Sequence, residues 1–319
     1  MPDTPENRAR RAATEVAFAS ALRVAAGPHG LATTFEYDGD PEEPAHLVCH
    51  AASPGGSRPR ATLVFLHGKG GFAAEWRRDA VRALRLGYDV LVPELRGHPP
   101  SGGARITYGL REVNDLVLLA GEAARRFGFD PSRLGLDGAS MGALVALRAA
   151  AVDPRVRALW LRSPFADLPA MAEQYVSLAT GLPRLLVSLP VRIAVARAGR
   201  AAGLPLTDLD PLAAARRVSC PVLVVHGEED ELVPVGFARP LFAALSGEKE
   251  LWIVPRAGHE HHADEPSGLR AADYARRWSG FFTRHLPAAG TAPAPVSSPS
   301  PPPSPRGTRA QRPRRPQGP

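Results

Sequence analysis

Cysteine is nearly absent from this chain: Cys49 and Cys220 are the only two in 319 residues. Two thiols so far apart give neither the disulfide framework of a small secreted domain nor the paired spacing of a zinc site. Both are expected to be free, which makes a reducing, cytoplasmic setting the default expectation. Long apolar runs are missing too. The most apolar later stretch, Leu182 to Ala198, is cut by Pro183, Arg184, Pro190, Arg192 and Arg197. A membrane span needs about 20 predominantly apolar residues, so no span and no membrane partner are expected. The N-terminal apolar segment, Ala12 to Ala26, contains Glu15 and Arg23. A secretory signal core would be uninterrupted, so residues 1–29 read as an extension built on an Ala/Arg-rich amphipathic helix. No internal repeat is visible.

Acidic residues are missing from Pro287 to Pro319, which holds five arginines (Arg306, Arg309, Arg312, Arg314 and Arg315). Five of the chain's net +7 charges therefore lie in this tail, leaving the body near neutral. A nucleic-acid-binding surface on the body is not expected. The tail is rich in Pro and Ser and has no apolar periodicity, so it cannot bury a core and is expected to be disordered. At most it offers a weak docking arm for a protein partner.

What is present is an alternation. Short β-rich runs fall at Leu47–His50, Thr62–Leu66, Asp89–Val92, Leu134–Leu136, Ala158–Leu161, Val222–Val225 and Glu250–Val254. Helical patterns fall at Ala74–Leu86, Leu110–Phe127, Met141–Ala151, Phe237–Leu245 and Gly268–His285. Strands alternating with helices imply an α/β fold whose central sheet is mostly parallel. TLVFL and VLVV are apolar on both faces, as strands covered by helices on each side must be. One segment breaks the rhythm. Phe165 to Leu212 contains no convincing strand and reads as a helical lid insertion or as ordinary surface helices.

Reactive groups in such a sheet gather at the carboxyl ends of the strands. There the sequence places His67-Gly68-Lys69-Gly70-Gly71, Gly138-Ala139-Ser140-Met141-Gly142, His226-Gly227-Glu228-Glu229-Asp230 and Pro255-Arg256-Ala257-Gly258-His259. A Gly-rich loop, a serine, an acid and a histidine form the inventory for acyl transfer. A serine hydroxyl needs a histidine to take its proton, and the histidine needs a carboxylate to fix its tautomer. A lone GxSxG occurs often by chance; its company here gives it meaning. On the residues alone, Glu228, Glu229, Asp230 and Glu231 compete as the acid, and His259, His261 and His262 as the base. The HEHHADE run could also suggest a metal, but the zincin pattern HExxH needs a second histidine where Ala263 stands.

GASMG after a strand resembles the nucleophile elbow of the α/β-hydrolase superfamily, and HGKGG resembles its oxyanion loop. HGEEDELVP is similar to the acid-bearing HGxxDxxVP segment, and AGH to the histidine-bearing loop. The likeness runs from about Leu47 to Leu286 and is greatest toward the compact serine-aminopeptidase-like and prolyl-oligopeptidase-like catalytic domains. YDVLVPELRGHPPSGG and SPFADLPAM resemble their further strand ends. The resemblance implies an α/β-hydrolase fold over residues 30–286, with a short lid at about 165–212. It assigns Ser140 as nucleophile, Asp230 as acid and His259 as base, with the backbone N–H groups of Lys69 and Met141 as the oxyanion hole. One departure is Ala143, where many relatives carry glycine. The expected activity is hydrolysis of a small-molecule carboxylic ester or thioester through an acyl-serine, with no cofactor and no metal. An aminopeptidase-type amide hydrolase and a non-catalytic ligand-binding member are the alternatives. His67 and His226 are expected as hydrogen-bonded structural residues. Arg96 and Glu112 carry no expectation beyond loop and helix roles.

Overall fold

The apolar run Thr62–Leu66 forms strand β3, and all five of its residues are buried. Successive side chains point to opposite faces, so Leu63 and Phe65 enter one apolar cluster while Val64 and Leu66 enter the other. Strand β7 (Val222–Gly227) divides the same way, Val222 and Val224 against Leu223 and Val225. A strand apolar on both faces needs helices on both sides. Helices α3 (Glu112–Phe127), α4 (Met141–Val152), α7 (Pro211–Arg217) and α8 (Val235–Ala244) cover one face. Helices α1 (Pro5–Ala26), α2 (Arg77–Arg85) and α9 (Leu269–His285) cover the other. This computed structural model describes residues 5–56, 59–204, 209–259 and 269–288.

The remaining strands are β1 (Leu31–Asp38), β2 (His46–Ser53), β4 (Asp89–Pro93), β5 (Leu134–Ala139), β6 (Val156–Arg162) and β8 (Lys249–Val254). They form one sheet in the order β1-β2-β4-β3-β5-β6-β7-β8. The β1–β2 and β2–β4 pairs are antiparallel, and every other pair is parallel. After β3 the chain builds β4 on one side, then crosses back to place β5 on the other. That reversal opens a crevice at the carboxyl ends of β3 and β5, where the two loops diverge. All seven expected strands are present, with β1 added at the edge. Its residues alternate, Phe35 and Tyr37 buried while Glu36 and Asp38 face out. Two inward side chains gave too weak a period to read from sequence.

Between β6 and β7 the described residues form helices rather than strands, as expected. Asp167 caps α5 (Leu168–Thr180), its carboxylate accepting the Ala170 N–H at 2.9 Å. Gly181, at φ 71°, ends it. Helix α6 (Arg184–Ala201) packs against α5 and is clamped there by the buried Glu173, which Arg192 reaches at 2.6 Å and Arg184 at 3.3 Å.

Candidate active site

Ser140 stands between the last residue of β5 and the first of α4, at φ 51° and ψ −111°. A non-glycine residue in the left-handed region is strained, and such strain persists only where the surroundings enforce it. They do so here. A Cβ on Gly138 would lie 2.3 Å from the Gly142 carbonyl oxygen, and one on Gly142 would lie 2.1 Å from that of Leu66. Both glycines are therefore required for α4 to sit against the β3 and β5 ends. The Ser140 N–H donates to Arg162 O at 2.8 Å, which ties the turn to β6. The Ser140 side chain does not cap α4, and the residue lines the adjacent cleft.

The acid candidates separate by burial. Glu228, Glu229 and Glu231 are exposed, whereas Asp230 is buried. Asp230 Oδ1 accepts the Val233 N–H at 2.8 Å, and Oδ2 lies 2.8 Å from His259 Nδ1. Burial resists its ionisation, but the hydrogen bond and charge of His259, the Val233 N–H and the Ser163 hydroxyl together hold the carboxyl below the usual range. An ionised carboxylate only accepts, so His259 donates through Nδ1 and Nε2 keeps its lone pair. The two loops are laced together by N–H donations from Glu228 to Val254 O and from Glu229 to Ala257 O, each 2.9 Å. Gly227 makes that closeness possible, since a Cβ there would meet Ala257 O at 2.3 Å. His261 and His262 lie outside the described residues, as does the HEHHADE run after His259. Among the described residues no group of His, Cys, Asp and Glu is arranged to hold a metal.

The HGKGG loop is fixed by two neutral histidines. His67 donates from Nδ1 to Gly68 O at 2.9 Å and accepts the Leu95 N–H on Nε2 at 3.0 Å. His98 accepts the Gly70 N–H on Nε2 at 3.1 Å and donates to Arg96 O. Burial pushes His67 down to about 3, helped by His98 and Arg11 and opposed by the Gly68 carbonyl. Beneath them Glu94 accepts from Ala73 N–H at 3.0 Å and from Arg11 of α1 at 3.3 Å. Burial raises this carboxyl to about 7. His226, the other expected structural histidine, donates to Val233 O at 2.6 Å. Arg96 and Glu112 also find roles. Arg96 forks onto Asp115 with two 2.7 Å bonds, and Glu112 accepts the Thr107 and Gly109 N–H groups.

Ser140, His259, Lys69 and Met141 all line one cleft of about 520 Å³. Its apolar wall comes from Phe165, Leu168, Met171, Tyr175 and Leu232. The Lys69 ammonium stands 5.4 Å from the centre of the Tyr175 ring. Sequence reasoning gave no role to Ser163. It follows β6, is fully buried at φ 45° and hydrogen-bonds Asp230. It sits at a strand end like the others, and that position was the available signal.

A sequence profile described as the alpha/beta hydrolase family matches residues 63–272. The uncharacterized protein YqkD of Bacillus subtilis is 30% identical over 181 residues, covering 55% of this chain and 57% of that one. The chain thus spans about three-fifths of the length of the first curated relatives it matches. A monoacylglycerol lipase of Mycolicibacterium smegmatis is 27% identical, over 69% of this chain and 88% of the lipase. The solved esterase Pf2001 of Pyrococcus furiosus superposes with a TM-score of 0.63 at 22% identity, covering 80% of this chain and 93% of that one. Likeness at that identity speaks for the fold. With the profile spanning well over half of the sequence, the chain belongs to the alpha/beta hydrolase family.

Proposed function

We propose that the protein is a serine hydrolase that cleaves carboxylic esters or thioesters through an acyl-serine intermediate. The observation that carries this reading is His259, 2.8 Å from the buried Asp230 and lining the same cleft as a serine held on a left-handed turn. Ser140 Oγ attacks the acyl carbon while its proton passes to His259 Nε2, and the ionised Asp230 stabilises the imidazolium formed. The Lys69 and Met141 N–H groups receive the oxyanion, each such donor contributing about 3 kcal/mol. The imidazolium then protonates the leaving alkoxide or thiolate. In the second half His259 takes a proton from water, whose oxygen bonds to the acyl carbon, and the imidazolium returns that proton to Ser140 Oγ as the acyl–serine bond breaks.

An apolar cleft wall and the acyl ester named in the mycobacterial lipase both favour esters. An aminopeptidase would hold its substrate amine with carboxylates. Among the described residues lining the cleft Glu75 is the single acid, and it accepts the Phe72 N–H at 3.3 Å. Helix α5 acts as the lid of this cleft, with α6 packed against it. Labelling with a fluorophosphonate tests the reading: wild type labels, and Ser140→Ala does not. Equal labelling of the two, or none of wild type, sinks it.

A further inference from the structure

The helical insertion carries apolar side chains that the fold leaves outside. On α6, Leu185, Leu186, Leu189 and Ile193 are 88, 63, 68 and 45% exposed, and on α5 Tyr175 and Leu178 are 57 and 49% exposed. Leu185, Leu189 and Ile193 follow at four-residue spacing and share one helix face. Globular proteins seldom leave such a contiguous apolar patch in water without a use for it. The same helix exposes Arg197 and Arg200 beside the half-exposed Arg192, which Glu173 already engages, and residues 184–201 contain no acid. The patch is continuous with the cleft, because Tyr175 belongs to both.

We propose that α6 and the outer edge of α5 dock on an anionic lipid surface, with α6 lying flat and the cleft opening toward the lipid. This rests on reading the cleft as an acyl-ester site and names the source of its substrate: acyl esters held in or leaving a lipid layer. Arginine and leucine on one exposed helix suit an interface, where the leucines enter the acyl region and the guanidinium groups stay among the headgroups. No described helix is long and apolar enough to cross a membrane, and a helix lying on the surface need not be. Two other occupants fit the charge poorly. A second copy bound about a two-fold axis would set these arginines against their own images. The C-terminal tail, with five arginines and no acid, is repelled in the same way. Anionic headgroups complement both the charge and the apolar stripe.

The test is cosedimentation of the full chain, as Ser140→Ala so that no acyl transfer intervenes, with two kinds of vesicle. One contains phosphatidylglycerol and phosphatidylcholine, the other phosphatidylcholine alone. Binding is expected on the first, weakening as salt rises. Adding Leu185→Ser and Leu189→Ser leaves net charge unchanged and is expected to lower partition at least about tenfold. The same pair in the active chain leaves the melting temperature within a few degrees of wild type, and turnover of a soluble short-chain ester within about twofold, as exposed positions should. Absence of binding, equal binding of the leucine variant, or equal binding to phosphatidylcholine alone overturns the proposal. So does a dimer that the leucine variant dissolves, which would make this face a self-interface. Vesicle binding by a chain whose Ser140 does not label keeps the surface and sinks the hydrolase reading. Labelling without vesicle binding does the reverse.

Discussion

The strand-end loops and the helical insertion face each other across one cleft, and they are built on opposite terms. On the sheet side the groups that shape the site are held by fixed partners: His67 and His98 hold the HGKGG loop, and Asp230 is gripped by Val233, His259 and Ser163. Across the cleft stands α5, and α6 packed on it is largely exposed, with Val187 and Gly199 its buried residues. Its principal polar tie is the Glu173 clamp. Chemistry needs the first kind of region, since a nucleophile displaced by an ångström loses its partners. The second kind suits a surface that meets varied ligands. If this contrast is real, equal insults should cost the sheet side much and the insertion little.

Acid is the strongest such insult. His67 titrates at about 3 in the fold against 6.5 when free. Its contribution to stability is therefore complete above pH 6.5 and is lost as pH falls through that window toward 3. Glu94 has the opposite sign: raised to about 7 from 4.5, it stabilises fully below 4.5, and this is lost as pH rises through 7. The two oppose each other between 4.5 and 6.5, so wild type should lose stability most steeply below 4.5. In Glu94→Gln the histidine acts unopposed, and the loss should begin near 6.5 and reach about 5 kcal/mol by pH 3. Hydrogen exchange should show the Gly70 and Leu95 amides, which His98 and His67 accept, losing protection before the amides of α5 and α6. Simultaneous opening of both regions would erase the contrast.

A steric insult comes next. Gly142→Ala forces a Cβ to within 2.1 Å of Leu66 O and 2.7 Å of His67 O, both backbone atoms that cannot swing aside. Either α4 moves off the sheet or the HGKGG loop shifts. A loss of about 3 kcal/mol or more is expected, and, on the proposed mechanism, ester turnover should fall at least about a hundredfold as the Ser140 turn and the HGKGG loop separate. Thermal melting and steady-state kinetics measure the two effects. A stable, active Gly142→Ala would show that the elbow tolerates more room than its contacts allow.

This difference also explains what could be read from the sequence. Ser140 between Gly138 and Gly142, and Gly227 before the acid loop, stand where backbone meets backbone, so the residue type is dictated locally and appears as a motif. The buried strands β3 and β7 were readable for a similar reason, being apolar on both faces. Ser163, Glu94 and Arg11 act through partners distant in the chain: Arg11 reaches Glu94 across 83 residues. No spacing in the sequence announces such a bond. The insertion was least readable. Its Leu, Ala, Pro and Arg composition fits a lid or ordinary surface helices equally, and which of its side chains stay exposed appears only in the fold.

The smallest effect should come from the same substitution made on the other side of the cleft. Gly181 ends α5 at φ 71°, so Gly181→Ala places alanine in a left-handed conformation, which costs about 1 kcal/mol. A Cβ there would meet nothing within 4 Å, so no steric term is added. Alanine also narrows the unfolded ensemble, which offsets about 0.4–1 kcal/mol of that strain. The net change should be below about 1 kcal/mol, with turnover of a soluble ester within about twofold. Melting temperature and kcat/KM, measured beside Gly142→Ala, make the comparison direct. If Gly181→Ala instead costs as much as Gly142→Ala, the α5–α6 turn is as constrained as the elbow, and the insertion is part of the rigid scaffold.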